Sequence, residues 1–430
     1  MTSPKLRHSC AKSAPLRTIV LSGSLALIWA IAGVSAYAET LPLSVAMTRA
    51  AEADLARTAT TQRLTAAEGN IRQAGVKPNP TLGLQVENTL GSSPYNGIDR
   101  TETTLSYQQT LERGGKRKAR VDVASSQRDL VVAEGRVRSL DLMTEVEVVW
   151  IEAVVAEAEV RVAEERLKLA EVTRNEITRR VAAARDPLFA GSLADADVAS
   201  AQITLDQARQ RAAQLKAQLA AYWGGTVDFD LDPSWLEDTS AAGITPTIME
   251  TPELERLRAQ QRVATAQIGL ETSRSVQDPT FEAGVRHFKG DGAVAFVVGG
   301  SLPLGRFDTN RGAVERSRAE ALAAATDIEA ADRIRARDIG AITPRLISSA
   351  GEVRRIDEEV IPQLERAVVQ VREGFMRGGF SYRDVIGAQD ALISTKERRI
   401  EILKSFHMER ARRERLAGQW VPLIPVQETN

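Results

Sequence analysis

The chain has 430 residues, 43% of them hydrophobic, and a formal net charge of −1. So much apolar material supports a substantial core and excludes a disordered chain, while a near-neutral balance without a basic block argues against nucleic acid as a partner. The only cysteine is Cys10, which leaves everything after it without a disulfide, a thiolate metal site or a thiol nucleophile.

Residues 1–17 carry Lys5, Arg7, Lys12 and Arg17 and no acid, and are followed by the apolar run Ile19–Val34 and by Ala36-Tyr37-Ala38-Glu39. A charged start, an apolar stretch and a small-x-small site predict a secretory signal peptide over 1–38, cut after Ala38. Cys10 precedes the apolar run, so it cannot become the acylated first residue of a lipoprotein. Without the leader the charge is about −5 by simple counting. No later segment has 18 uninterrupted apolar residues, so a membrane could be crossed only by a barrel.

In chain order, the patterning predicts a helix at about 45–76, strands at 80–88 and 102–112, a very long helix over 116–182, and a helix at 195–224. An irregular connector with Asp-Pro, Gly and Thr-Pro breakers follows, spanning 225–250. The order then recurs: helix 251–276, strands 279–288 and 293–303, long helix 311–377, helix 383–419. The organisation is thus a first repeat (39–224), the connector in an equatorial position, a second repeat (251–420) and a tail (421–430). Leu130, Ala133, Val137, Leu140, Met143, Val146, Trp150 and Val154 recur at steps of three and four, an apolar helical stripe. Each long helix would reach roughly 100 Å, beyond any one globular domain. Pro344 falls near the middle of the second and predicts a bend there.

Sequence matches tie the halves together: Pro80-Thr81-Leu82 with Pro279-Thr280-Phe281, and Asp197 to Gln202 with Asp384 to Gln389. Gly191 and Gly378 each stand six residues before the aspartate and mark the expected helical reversals, with Ser381 placed to cap the following helix. Asp308 or Thr309 is the expected cap of the second long helix.

The strands alternate. Leu82, Leu84 and Val86 oppose Thr81, Gly83, Gln85 and Glu87; Leu105, Tyr107 and Leu111 oppose Thr104, Ser106, Gln108 and Thr110; Phe281, Ala283 and Val285 oppose Glu282 and Arg286. Ala293 to Leu302 is apolar on both sides, so its facing stays open. One greasy and one polar face suits an outer-membrane barrel strand or a soluble antiparallel sheet. Four strands cannot close a barrel alone, whereas three copies would supply twelve.

Pro78-Asn79-Pro80, the step Leu111 to Arg117 with Gly114, Gly115, Lys116 and Arg117, Pro303-Leu304, and Gly378 to Gln389 together resemble the TolC-like outer membrane efflux proteins, and within them the CzcC-like cation-efflux branch. The resemblance spans nearly all of the chain after the leader. It implies a mainly α fold with a small β part: a long α-helical coiled-coil barrel continued by four transmembrane strands per chain, closing as a 12-stranded barrel in a homotrimer. It further implies an outer-membrane location in a Gram-negative bacterium with a periplasmic tunnel, and docking to a periplasmic adaptor fed by an inner-membrane pump of the RND type. The expected function is passage of substrate, heavy-metal cations in the CzcC-like branch, from adaptor and pump to the exterior. A drug or protein secretion duct of the same fold, or a pore-less periplasmic coiled-coil scaffold, are the alternatives.

The expected docking tips are Gly191, Asp197, Val198, Gln202, Gly378, Ser381, Asp384, Val385 and Gln389. Asp195, Asp197 and Asp384 are candidate pore-gating acids when repeated by the trimer. Gly114, Gly115, Lys116, Arg117 and Pro303 form the expected barrel-to-tunnel junction. No catalytic residues, cofactor or resident metal are expected: His287 and His407 stand apart with no second ligand at metal spacing and read as ordinary surface or strand histidines. Met143, Met249, Met376 and Met408 form no soft-metal relay.

Overall fold

The computed structural model describes residues 39–424, so the leader (1–38) and the last residues of the tail (425–430) lie outside the described residues. The elements are β1 (Glu39–Thr40), α1 (Leu43–Ala53), α2 (Leu55–Ala74), β2 (Thr81–Glu87), β3 (Glu102–Thr110), α3 (Lys116–Ala182), α4 (Leu188–Ala221) and β4 (Phe229–Asp230). They continue with α5 (Pro252–Arg274), β5 (Thr280–Phe288), β6 (Val294–Ser301), α6 (Arg311–Arg355), α7 (Ile361–Arg377) and α8 (Tyr382–Ala417). At 67 residues, α3 is a rod of roughly 100 Å. The α6 and α7 segments, of 45 and 17 residues with a 5-residue π-helical turn between them, make a second rod of equal residue count. Shorter helices line the α3 rod: α2 and α5 along its first half, α4 and α8 along its second.

Helix ends follow local chemistry. Gly114 and Gly115 adopt φ of 68° and 77°, and Gly115 is the N-cap of α3. A side chain at Gly114 would collide with Val276, 2.7 Å from where its Cβ would stand, so two left-handed glycines are what lets the chain leave the sheet and enter the rod. Ser381 and Asp384 form a reciprocal capping box at the start of α8, and Gly418 ends that helix at φ 80°.

β2, β3, β5 and β6 form one antiparallel sheet in that order. The register sets Leu84 opposite Leu105, Leu105 opposite Val285, and Val285 opposite Phe296. Since paired residues share a face, Leu82, Leu84, Val86, Leu105, Tyr107, Phe281, Val285, Val294, Phe296 and Val298 all stand on one side. The fourth strand is thereby assigned: its valine–phenylalanine–valine series joins the apolar face. That face is uncovered in the single chain, with Leu82 71% and Phe296 88% exposed. The other face carries Thr104, Ser106, Gln108, Glu282 and Arg286. Arg286 reaches Glu102 at 2.9 Å and Glu87 at 3.2 Å, and its Nε donates to Thr104 Oγ1.

The largest core sits halfway along the rods. Trp150 of α3 is buried, donates from Nε1 to the Leu41 carbonyl at 3.0 Å and meets Trp235 edge-on at 4.6 Å between centroids. Trp235 stacks on His407, whose Nε2 lies 2.9 Å from the Leu236 carbonyl. Leu140, Met143, Val146, Ile151, Val154, Leu219, Phe229 and Leu403 complete the cluster. The connector contributes Phe229 of β4, which pairs in parallel with β1, Leu231 just after it, and Trp235 and Leu236 from a 3₁₀ turn at Pro233–Glu237. Ala242 of a second 3₁₀ turn, Ser240–Gly243, packs in a separate cluster with Ile342, Leu346 and Phe406. Truncating Trp150 to Ala would cost about 3–5 kcal/mol.

The expected first helix is broken at Asp54, which ends α1 and caps α2 through the Ala56 N–H. The predicted bend at Pro344 is not where the helical ladder changes: α6 runs through Pro344, and the π-helical turn comes at Ile356–Val360, immediately before Pro362. A proline ring crowds the carbonyl four residues back, and the wider turn relieves it there. Neither Asp308 nor Thr309 caps α6; Asn310 stands at the N-cap, its side chain turned to Glu271, while Asp308 accepts from the Asn310 N–H. His407 is not a surface residue but fully buried, because the connector folds over α8.

Two buried titratable groups oppose each other in this core. Burial, then the Glu414 carboxylate, pushes the Glu147 carboxyl up to about 8, against the pull of the Trp420 indole N–H, 3.0 Å away, and of Arg410. Burial pushes His407 down to about 4. Glu147 keeps a proton that the unfolded chain releases above 4.5, so its contribution to stability is complete below that pH and is lost as pH rises through 8. His407 contributes fully above 6.5, and that contribution is lost as pH falls towards 4. Glu147→Gln keeps an acceptor for Trp420 and removes the ionisation. Thermal unfolding should therefore give it the parent's midpoint near pH 5 and a midpoint higher by several degrees near pH 8.5, at about 2–4 °C per kcal/mol.

Candidate functional site

Three regions carry the residues singled out from the sequence: the hairpin tips, the helix–sheet junction and the sheet itself. At the tips, Ile177 of α3, Ala190 and Ala194 of α4, Phe375 of α7 and Val385 of α8 form a small core, flanked by Val181, Val371 and Tyr382. Arg180 fastens it. Its guanidinium forks onto Asp186 at 2.7 and 3.1 Å, donates to the Phe375 carbonyl at 2.7 Å and lies 4.3 Å from the Phe375 ring centroid. The Tyr382 hydroxyl donates to the Asp197 carboxylate and so joins the second hairpin to the first. Burial, then that carboxylate, raises the Tyr382 phenol above its ordinary range and keeps it a donor. Further up, buried Gln389 donates to Thr173 at 2.9 Å, and Lys396 pairs with Glu165 at 2.7 Å.

Gly378 is the reversal residue expected, with φ 86° at the C-cap of α7. Gly191 is not. It lies inside α4 without a left-handed backbone, and the first reversal runs through Ala184 (φ 54°) to Pro187 at the N-cap of α4. Asp197 is the tenth residue of α4, whereas Asp384 is the third of α8. The seven-residue offset is close to two full helical turns, which keeps both aspartates in phase on their helices and hides the displacement from a sequence match.

Asp384 is spent on capping Ser381, Asp197 on Tyr382, and Asp195 is exposed. Val198 is half-buried, and exposed Gln202 donates to Asp206. Sequence reasoning missed the exposed apolar side chains of the hairpin ends, Leu188 (83%) and Phe189 (65%) and, less exposed, Leu193, Met376 and Phe380. Their signal was an apolar pair, Leu188-Phe189, directly after a helix-starting proline.

At the junction, Lys116 pairs with Asp278 at 2.6 Å, and the Arg113 N–H donates to the same carboxylate at 2.8 Å. Burial pulls Asp278 up, but these two donors outweigh it and hold the carboxyl below its usual range. Arg120 clasps Glu112 and also donates to the Ala74 and Val76 carbonyls, tying the end of α2 to the start of α3. Arg117 and Pro303 are exposed.

No group of three or more His, Cys, Asp or Glu side chains among the described residues could hold a metal, and no helix among them is long and apolar enough to cross a membrane. What the arrangement does present is a two-faced sheet. A sheet with an uncovered apolar face is poorly matched to water and well matched to hydrocarbon, and its opposite face offers carboxylates and hydroxyls to whatever passes.

The sequence pattern of the family described as "Outer membrane efflux protein" matches residues 47–224. The cobalt-zinc-cadmium resistance protein CzcC of Cupriavidus metallidurans is 27% identical over 385 residues, 88% of this chain and 90% of that protein. The crystal structure of the outer membrane protein VceC from Vibrio cholerae is similar over 87% of this chain and 96% of that one, with 20% identity and a TM-score of 0.66. A membrane protein from Pseudomonas aeruginosa is similar over 89% and 91%, with 15% identity and a TM-score of 0.71.

Removing the Tyr382 hydroxyl should loosen the two tips from each other without touching the sheet. In Tyr382→Phe, amide hydrogen exchange over 183–190 and 376–384 is expected to quicken by roughly tenfold, the equivalent of one lost hydrogen bond to a charged group, with protection around Trp150 unchanged. Unaltered exchange at both tips would show that this bond does not hold them together.

Proposed function

We propose, since the chain belongs to the outer membrane efflux protein family, that it acts as a homotrimeric outer-membrane channel of a tripartite efflux system and passes divalent heavy-metal cations from the periplasm to the exterior. The observation that carries this reading is the two-faced sheet standing on rods of about 100 Å. Three such sheets joined edge to edge, β6 of one copy to β2 of the next, give a twelve-stranded closed wall with apolar residues outward and Glu87, Glu102, Glu282 and Arg286 inward. Similarity to a cobalt-zinc-cadmium resistance protein over most of both chains supports the choice of cargo. An inner face with three carboxylates to one guanidinium per copy favours cations over anions.

The hairpin tips are the docking end for a periplasmic adaptor, which an inner-membrane pump of the RND type would feed. Leu188, Phe189 and Phe380 offer it apolar purchase, and Gly378, Ser381 and Asp384 shape the turn that presents them. Asp195 and Asp197, repeated three times around the axis, would lie at the narrow end, and the Tyr382–Asp197 bond is the contact whose release would widen it.

Purified protein should conduct in planar bilayers as a trimer, and a stable monomer in water without detergent would refute the channel. In a deletion strain, the wild-type gene should restore tolerance to cobalt, zinc and cadmium. Gly378→Trp, strained at φ 86°, should abolish that tolerance with trimer yield and membrane insertion intact. Restored resistance to drugs but not to metals would move the cargo to organic molecules.

A further inference from the structure

We propose that the segment Leu302–Phe307, which links β6 to α6, inserts into the phospholipid leaflet on the tunnel side of the membrane and fixes the depth at which the sheet sits. The inference rests on the reading of the sheet as a membrane wall and assigns an anchor to it. Among the described residues, the four most exposed large hydrophobic side chains are Phe307 (93%), Phe296 (88%), Val298 (85%) and Leu304 (85%). All four belong to one stretch of the chain, residues 294–307. It starts on the apolar face of β6 with Val294, Phe296 and Val298 and continues beyond the strand through Leu302, Leu304 and Phe307.

The segment is held in a shape that displays these side chains. The Arg306 N–H donates to the Leu304 carbonyl at 2.8 Å, and Pro303 fixes the exit from the strand. Gly305 lies so close to Gln277 that a Cβ there would stand 3.1 Å from the amide nitrogen, which seats the loop on the turn between α5 and β5. Asn310 closes the far end by donating to the Glu271 carbonyl at 2.7 Å. With its base bound to α5 and its apolar side chains outward, the loop does not fold them back onto the protein. The Arg306 guanidinium lies 5.8 Å from the Phe307 ring centroid, so an aromatic ring and a cation share the tip. That pair suits the boundary where acyl chains meet phosphate: the ring takes the apolar side and the guanidinium the anionic one. Continuity with the lipid-facing strip selects lipid as the occupant; a second copy of the chain is the competing one.

The test uses purified full-length trimer, processed by the cell, in vesicles of phosphatidylethanolamine and phosphatidylglycerol with plain or brominated acyl chains. Trp150, Trp223, Trp235 and Trp420 all lie in the mid-rod core or packed against it and give a background that bromine should not touch. Phe307→Trp adds a reporter on the strip, whose extra emission should fall by about twofold or more in the brominated vesicles. Emission unchanged between the two vesicles would overturn the proposal. The double variant Leu304→Asp/Phe307→Asp should remain trimeric in detergent and enter the same vesicles several-fold less well. Dissociation of that variant in detergent would instead show the strip to be a contact between copies, and would also overturn the proposal. Conductance of the parent protein in the plain vesicles is read separately: its absence alongside quenching of the Phe307→Trp reporter would count against the channel and leave the anchor standing.

Discussion

A backbone N–H or C=O left unpaired in hydrocarbon costs several kcal/mol, and this constraint organises the whole molecule. The sheet presents an uncovered apolar face and, within one chain, two open edges, at β2 and β6. In the proposed trimer, closure through further copies would satisfy those edges and at the same time turn the polar face into an interior. The small residues on that face serve the closure. Gly83, Ser106 and Gly284 stand side by side across three strands, and a Cβ on Gly284 would approach the Leu105 carbonyl oxygen to 2.7 Å.

The rods solve a different problem, the transfer of position over a long distance. Narrow apolar stripes rich in alanine let α2, α4, α5 and α8 pack close to α3, but no one stretch of such packing is thick enough to fix the register of helices this long. Register is supplied at two places. In the middle, Trp150, Trp235, His407 and the connector make a core of globular character, tied by indole and imidazole hydrogen bonds to the Leu41 and Leu236 carbonyls. At the far end, Arg180 and Tyr382 bind the two hairpins side by side. Between these points buried side chains such as Ala201, Leu205, Leu392 and Ile393 pack the helices together, joined by ion pairs such as Lys396 with Glu165 and Arg209 with Glu164. An exposed pair such as Arg209 with Glu164 contributes little by itself.

The chain commits many of its polar side chains to the fold. Its polar groups are spent on holding shape: Asp384 on a helix start, Asp197 on Tyr382, Asp278 on the junction, and Glu87 and Glu102 on Arg286. Glu282 is the inward carboxylate with no ion pair among the described residues, and glycines stand near it at 284 and 299. In the proposed channel such a path would discriminate by charge and width.

The sequence by itself determined the element order, the lengths of both rods and the two faces of three strands, because each rests on periodicity or on local punctuation. The α3 span of Lys116–Ala182 follows from Gly114-Gly115 at one end and Asp186-Pro187 near the other. Leu82, Leu84 and Val86 declared their face by alternation alone. Ala293 to Leu302 could not, being apolar at every step; only its register with β5 assigned Val294, Phe296 and Val298 to the outer side. Tertiary structure likewise decided the first reversal, since an insertion of nearly two helical turns preserves helical phase and made Gly191 look equivalent to Gly378. The burial of His407 and the raised Glu147 depend on a connector whose breakers announced irregularity but not the surface it would cover. Periodic signals report how a segment repeats along its own length, whereas register depends on the neighbouring strand, and the burial of His407 and Glu147 on segments more than a hundred residues away that only the folded chain brings into contact.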